Sequence, residues 1–297
     1  MTKYSIIIPH HNTPKLLQRC IDSIPNSEDF QIIVVDDNSS PELVDFSNFP
    51  GVNRDNVEIY LTKEGRGAGY ARNQGLVHAK GRWVLFADAD DFMFEGFVNH
   101  ISLYYDSDYD LVLFRANSVD SDTLSPSNRS VGINYFVDKY KAGYATEKEV
   151  ALNAPVPWGK MVSRSFIVRN HIQFDEVRYA NDVMFATKVA CFAHKIAVSE
   201  DYIYTITMRA GSLSYDHKNN VDNFFQRLDV YIMRNVFLKA VHVDPFCLAT
   251  YIISARKFGT QYQLKCFLKL LNSHTLFDGL WNLLKYEYRT KIKKQNY

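Results

Sequence analysis

Two hydrophobic periodicities alternate over the first hundred residues. Residues 4–8, Tyr-Ser-Ile-Ile-Ile, form a short apolar run that stops at Pro9 and reads as a buried strand. Residues 14–24 then set Leu16, Leu17, Cys20, Ile21 and Ile24 at helical spacing. Further apolar runs lie at 32–35, 57–61, 83–87 and 111–114. A glycine-rich stretch, Gly65-Arg66-Gly67-Ala68-Gly69, leads into a helical pattern over 68–79. Short, wholly apolar strands alternating with helices predict an α/β fold whose mostly parallel sheet is covered on both faces.

Sheets of this kind take ligands at the carboxyl ends of their strands. Here a polar cluster follows each of three strands: His10-His11-Asn12, Asp36-Asp37-Asn38 and Asp88-Ala89-Asp90-Asp91. The three are expected to converge on one crevice. Farther along, residues 118–143 are polar and broken by Pro126 and Gly132, which reads as a loop or small hairpin insertion. Residues 155–209 return to a mixed pattern. They hold the segment Trp158-Gly159-Lys160, a predicted helix over 182–193 and a strand-like run over 201–208. Past residue 219 the composition is helical, and a helical C-terminal region over 216–297 is expected.

Composition narrows the class. With 46% hydrophobic and 23% charged residues, the 297-residue chain has globular proportions. A formal net charge of +1 argues against a nucleic-acid binder, which carries a clustered basic excess. Cys20, Cys191, Cys247 and Cys266 show no C-x-x-C spacing and no disulfide framework, so zinc or thioredoxin-like chemistry is not expected and a reducing compartment is. No apolar run reaches the roughly 18–20 residues of a membrane span, and no signal-peptide pattern opens the chain. The expectation is a cytoplasmic protein, free or held peripherally at the inner face of the membrane. Lys285, Arg289, Lys291, Lys293 and Lys294 stand against Glu287 alone near the C-terminus. That tail reads either as a solvated end or as a contact with anionic headgroups.

The run at 88–91 is the sharpest chemical signal. Three carboxylates within four residues repel one another, and a divalent cation is the simplest compensation. Mg²⁺ and Mn²⁺ take hard oxygen ligands, often one or two carboxylates with diphosphate oxygens and water. A capped strand-end turn is the competing reading, whereas a calcium loop would need a D-x-D-x-D-G order that is absent. Asp37 could bond a base or ribose edge, or start an Asx-turn. Arg72, in Ala71-Arg72-Asn73-Gln74-Gly75, could reach a phosphate or simply face solvent. Asn181-Asp182 could cap the following helix, yet an aspartate there could also take a proton from an attacking hydroxyl.

Taken together, these residues resemble the family-2 glycosyltransferases with the GT-A fold. The pieces are Ser5-Ile6-Ile7-Ile8-Pro9 with Asn12, Val35-Asp36-Asp37-Asn38-Ser39, Ala71 to Leu76, and Phe86 to Asp91. Trp158-Gly159-Lys160 with Arg164-Ser165-Phe166, then Asp182, Tyr204 to Arg209 and Ser212, complete the set. The resemblance covers residues 3–214. It implies a GT-A catalytic domain over 1–215, with a nucleotide-sugar half to about residue 115 and an acceptor half beyond.

The same resemblance implies roles. Pro9, Asn12, Asp37, Arg72, Asp88 and Ala89 would bind the nucleotide-sugar, with Asp37 reading the uracil of a UDP-sugar. Asp88 and Asp90 would hold Mn²⁺ or Mg²⁺ on the diphosphate, with Asp91 a third candidate ligand. Asp182 would be the general base, and Trp158 and Lys160 would lie on the acceptor side. The implied reaction is an inverting single displacement onto a saccharide or lipid-linked saccharide hydroxyl. Two residues depart from the family pattern: His11 stands where an aromatic is usual, and Asn181 where Glu is usual. Other classes that fit parts of the pattern are a non-catalytic carbohydrate-binding subunit and an Asp-nucleophile phosphohydrolase.

Overall fold

A computed structural model describes residues 2–209 and 220–279. The chain divides into two compact units, Met1–Ala210 and Gly211–Tyr297.

The first unit is built on one eight-stranded mixed sheet. Its strands are β1 (Tyr4–His10), β2 (Phe30–Asp37), β3 (Val57–Thr62), β4 (Trp83–Phe86), β5 (Phe92–Met93), β6 (Leu111–Asp120), β7 (Lys160–Ser163) and β8 (Ile196–Met208). Their order across the sheet is β3-β2-β1-β4-β7-β6-β8-β5. β1 lies parallel to β2 on one side and to β4 on the other, and β2 is parallel to β3. β6 and β8 are also parallel, while β7 runs antiparallel to both β4 and β6, and β5 to β8. The chain leaves β1 toward β2 and later returns to its other flank as β4. That reversal of direction opens a crevice at the carboxyl ends of β1 and β4.

Helices cover both faces, as the strand pattern predicts. They are α1 (Pro14–Asp22), α2 (Ala68–His78), α3 (Phe97–Ser102), α4 (Val131–Lys141), α5 (Glu147–Asn153), α6 (Arg164–Arg169) and α7 (Val183–Phe192). Strand residues alternate faces. Ile6 and Ile8 therefore join Leu17, Cys20 and Ile21 of α1 in the main core, while Ile7 points the other way, toward α2. Gly75 permits that approach, because a Cβ on it would sit 2.4 Å from Ile7 Cγ2. Glycine costs a helix interior about 1 kcal/mol of propensity. Here the close packing of helix on strand explains its place.

Part of the chain departs from the expectation of a loop or hairpin over 118–143. β6 continues through Asp120, the segment turns back through a Val119–Pro126 bridge, and α4 follows. Tertiary packing is the reason. Val137 of α4 is buried, and Ile133 packs against the main core. The two-residue strand β5, the short helices α5 and α6 and the early start of β8 were likewise not resolved by periodicity.

In the second unit, α8 (Val221–Ala240), α9 (Thr250–Ala255) and α10 (Thr260–Asn272) enclose their own core. Phe224, Phe225, Leu228, Ile232, Leu248, Ala255, Cys266, Leu270 and Leu276 form it. Asn220 caps α8 by accepting from the Asp222 and Asn223 amides. Asn235 of α8 clamps the following loop, donating to the Phe246 carbonyl at 2.7 Å and accepting from its amide at 3.0 Å. Among the described residues no helix is long and apolar enough to cross a membrane. The basic tail beyond residue 279, Ser212 and residues 210–219 generally lie outside the described residues.

Gly75→Ala is expected to lower stability by about 1–3 kcal/mol, the usual cost of overpacking. Urea denaturation measures it. An unchanged midpoint would mean that α2 does not depend on this close approach.

Candidate active site

The crevice is assembled from strand ends that sequence alone could only place in order. At the end of β1, His10 is fully buried with Asp36 of β2, its register partner. The Thr13 amide donates to His10 Nε2 at 3.1 Å, so that nitrogen carries no proton. Nδ1 therefore holds the proton and donates to Asp36 Oδ2 at 2.7 Å. The Ser39 amide and hydroxyl also bond the Asp36 carboxylate. Burial alone would raise the Asp36 pKa, but these bonds from His10 and Ser39 outweigh it and the net shift is downward.

Asn12 turns the chain after β1 in a left-handed conformation, φ 58°. Asparagine tolerates that region because its short side chain bonds locally. Its amide donates to Ser39 Oγ, and its Oδ1 accepts from the Ser40 amide at 2.7 Å. Its Nδ2 then donates to His11 Nε2, leaving His11 Nδ1 to donate to the Asp37 carbonyl. The unusual histidine thus ties the β1 turn to the end of β2. Pro9 is buried inside β1 itself.

Asp37 faces the glycine-rich loop. Its carboxylate accepts from the Gly67 amide at 2.5 Å and the Arg66 amide at 3.1 Å. Gly67 precedes α2 with φ 90°, a conformation that favours glycine. Asp37 therefore fixes where α2 begins, and Arg72 lies one turn farther along it. Arg72 is 5% exposed. It pairs with Asp88 through Nη2 and donates to Asn181 Oδ1 through Nη1 at 2.8 Å. Its Nε is a buried donor without a partner, and the guanidinium lies over the Phe174 ring. One side chain thus links the strand-end aspartates to the residue preceding Asp182, the N-cap of α7.

The turn after β4 treats its three carboxylates differently. Asp91 is buried, accepting from Tyr204 Oη at 2.9 Å and from the Thr207 amide at 2.6 Å. Burial and the charges of Asp90 and Asp88 push its pKa well up. The Tyr204 hydroxyl in turn accepts from the Asp88 amide at 2.8 Å. The carbonyl of Asp90 is held by Arg19 of α1 and by the Thr207 hydroxyl. Ala89 is packed inward. Asp88 and Asp90 remain partly accessible, and the Asp90 carboxylate is bonded by its own backbone amide and faces the charges of Arg209 and Arg129. Burial, followed by the Asp88 charge, raises its pKa.

Trp158 and Lys160 lie beneath this layer. Trp158 is buried and stacks on Tyr204, with ring planes 7° apart. Lys160 is 3% exposed and donates to the Ala154 carbonyl. Among the described residues no group of three or more histidine, cysteine or acidic side chains is arranged as a metal cage. Two carboxylates with diphosphate and water oxygens do suit Mg²⁺ or Mn²⁺. Burial and the Asp88 charge raise the Asp90 pKa despite the opposing charges of Arg209 and Arg129, so an added positive charge beside Asp90 would be favourable.

The sequence model of glycosyl transferase family 2 matches residues 5–167, more than half of the chain. The chain belongs to glycosyl transferase family 2. Among similar proteins of known name, the poly(ribitol-phosphate) beta-glucosyltransferase of Bacillus spizizenii is 30% identical over 209 residues. That alignment covers 68% of this chain but 32% of the relative, so the chain spans about a third of its length. The uncharacterized glycosyltransferase YibD of Escherichia coli is 25% identical over 247 residues, 78% of this chain and 69% of that protein. Among solved structures, residues 1–349 of Staphylococcus aureus TarS in complex with UDP-GlcNAc superpose with a TM-score of 0.58. At 21% identity, over 93% of this chain and 74% of that one, the match shows a shared fold.

Arg19 was not singled out in the sequence, and Tyr204 and Thr207 entered only as part of the family resemblance, because they lie far along the chain from the turn they hold. Tyr204→Phe leaves both the Asp91 carboxylate and the Asp88 amide short of a partner. It is expected to cost about 1–3 kcal/mol, measured by urea denaturation. Wild-type stability in this variant would contradict the bonding described.

Proposed function

We propose that the chain is the catalytic part of a glycosyltransferase that moves a sugar from a nucleotide-diphosphate sugar, a UDP-sugar in particular, to an acceptor hydroxyl. The observation that carries this reading is the bridge from Asp88 through Arg72 to Asn181, in a chain that belongs to glycosyl transferase family 2. It supports a reading in which the diphosphate lies beside the head of α7, where Asp182 stands.

In this reading Asp37 and the Asn12 turn receive the nucleoside, and Arg72 offers positive charge to the diphosphate. Asp88 and Asp90 would hold Mn²⁺ or Mg²⁺; Asp91, with its oxygens engaged by Tyr204 and Thr207, shapes their turn. When bound, the cation offsets the negative charge of the departing diphosphate. Asp182 takes the proton of the acceptor hydroxyl. The acceptor oxygen forms its bond to the anomeric carbon as the bond to the β-phosphate oxygen breaks, and the nucleoside diphosphate leaves with inverted stereochemistry at that carbon. Trp158 and Lys160 support the acceptor half from below. The acceptor is a saccharide or lipid-linked saccharide; the polyol-phosphate polymer named for the Bacillus relative belongs to the same polyhydroxyl class.

A screen of UDP-sugars with Mn²⁺, reading UDP release, tests the activity. Turnover of none of them, with or without candidate acceptors, would overturn it. Asp90→Asn conserves volume and removes one charge, and is expected to abolish turnover while leaving the thermal midpoint unchanged. Asp182→Asn is expected to lower the maximal rate by about 10²–10⁴-fold with donor affinity little altered. If donor affinity collapses instead, Asp182 is a binding residue. Asp37→Ala is expected to weaken UDP binding in calorimetry more than it slows turnover. Equal UDP affinity in variant and wild type would reduce Asp37 to an anchor of the glycine-rich loop.

A further inference from the structure

Helix α10 is apolar beyond the side that its core uses. Cys266 and Leu270 are buried in the core of the second unit. Rotation of about 100° per residue puts Leu264, Phe267, Leu268 and Leu271 on an adjoining, outward side, as one continuous stripe. All four are exposed, at 59%, 38%, 45% and 43%. Ile253 of α9 and Phe277 are exposed further still. Among the described residues the buried cluster of the unit does not include these side chains. A contiguous apolar stripe on a folded surface marks a contact with something else.

Charge indicates what that is. Residues 211–297 carry 13 lysines and arginines against 6 aspartates and glutamates, whereas residues 1–210 carry 21 against 27. The near-neutral total thus hides a basic C-terminal unit and an acidic N-terminal one. Lys265 on α10, and Arg256 and Lys257 just before it, are exposed cations close in sequence to the stripe.

We propose that the outer face of α10 docks the C-terminal unit onto an anionic lipid bilayer. The leucines and Phe267 enter the boundary between headgroups and acyl chains, and the neighbouring cations meet the anionic headgroups. A second copy of the same face is the weaker fit, because two basic units brought together repel. The same charge asymmetry orients the chain, since an anionic surface attracts the C-terminal unit and repels the acidic one. This inference stands independently of the proposed transfer reaction.

Cosedimentation of the full chain with phosphatidylcholine vesicles, with and without phosphatidylglycerol, tests it. Binding is expected with phosphatidylglycerol and should fade as salt screens the charges. Phe267→Gln/Leu268→Gln is expected to weaken the partition by about tenfold or more, with an unchanged melting curve because both side chains are exposed. Leu264→Gln/Leu271→Gln, on the same stripe, should give the same loss. Failure to bind at low salt overturns the proposal, as does equal binding by wild type and both variants. A dimer in sedimentation velocity that these substitutions dissociate would assign the face to a second copy and overturn it equally.

Discussion

Mutual repulsion among three carboxylates in four residues is the constraint around which the first unit is arranged. The turn after β4 answers those charges unequally. Asp91 is answered from β8, by the Tyr204 hydroxyl and the Thr207 amide. Asp88 is answered from α2, by the Arg72 guanidinium. Asp90 is answered least: its own backbone amide and the charges of Arg209 and Arg129 oppose burial and the Asp88 charge without cancelling them, while its carbonyl is pinned by Arg19 and Thr207. The division leaves a rigid turn with its excess negative charge concentrated toward the crevice. In the proposed reading, that charge is what a cation on a diphosphate would meet.

The rest of the crevice follows from fixing Arg72. Its guanidinium is buried, so its aim depends on the start of α2. The start of α2 depends on Gly67, whose amide bonds Asp37. Asp37 is in turn joined through its carbonyl to His11, and the Asn12 turn to Ser39 and Ser40. Polar residues from three strand ends thus form one connected network. Such a network is rigid only when its buried members are satisfied. The buried Arg72 Nε is a donor without a hydrogen-bonding partner among the described residues.

Asn181 is a chain-specific element of that network. A carboxamide can accept from Arg72, as it does, without adding a negative charge next to Asp182. The local field at the head of α7 is therefore less negative than a second carboxylate would make it. The C-terminal unit is separate in kind. It has its own core, its own sign of charge and a helix with one more apolar face than that core uses.

The sequence by itself determined the α/β class and the strand–helix order through β4. It determined the clusters at the three strand ends, the helix at α7 and the helical C-terminal region. These rest on local signals: runs of Ile and Val, helical spacing and the residues that break them. It also singled out Asp37, Arg72, Asp88 and Asp182, since unusual residues at strand and helix ends stand out without a partner in view. Only the tertiary structure decided that Asp91 turns inward and that Trp158 and Lys160 are buried. It also decided that β7 enters between β4 and β6 in the opposite direction and that α4 forms where a loop was expected. In each case the deciding partner is remote: Tyr204 lies 113 residues from Asp91, and the bond from Arg72 reaches Asn181 across 109 residues. Periodicity reports which face a residue prefers. It carries no information on which distant residue meets it there.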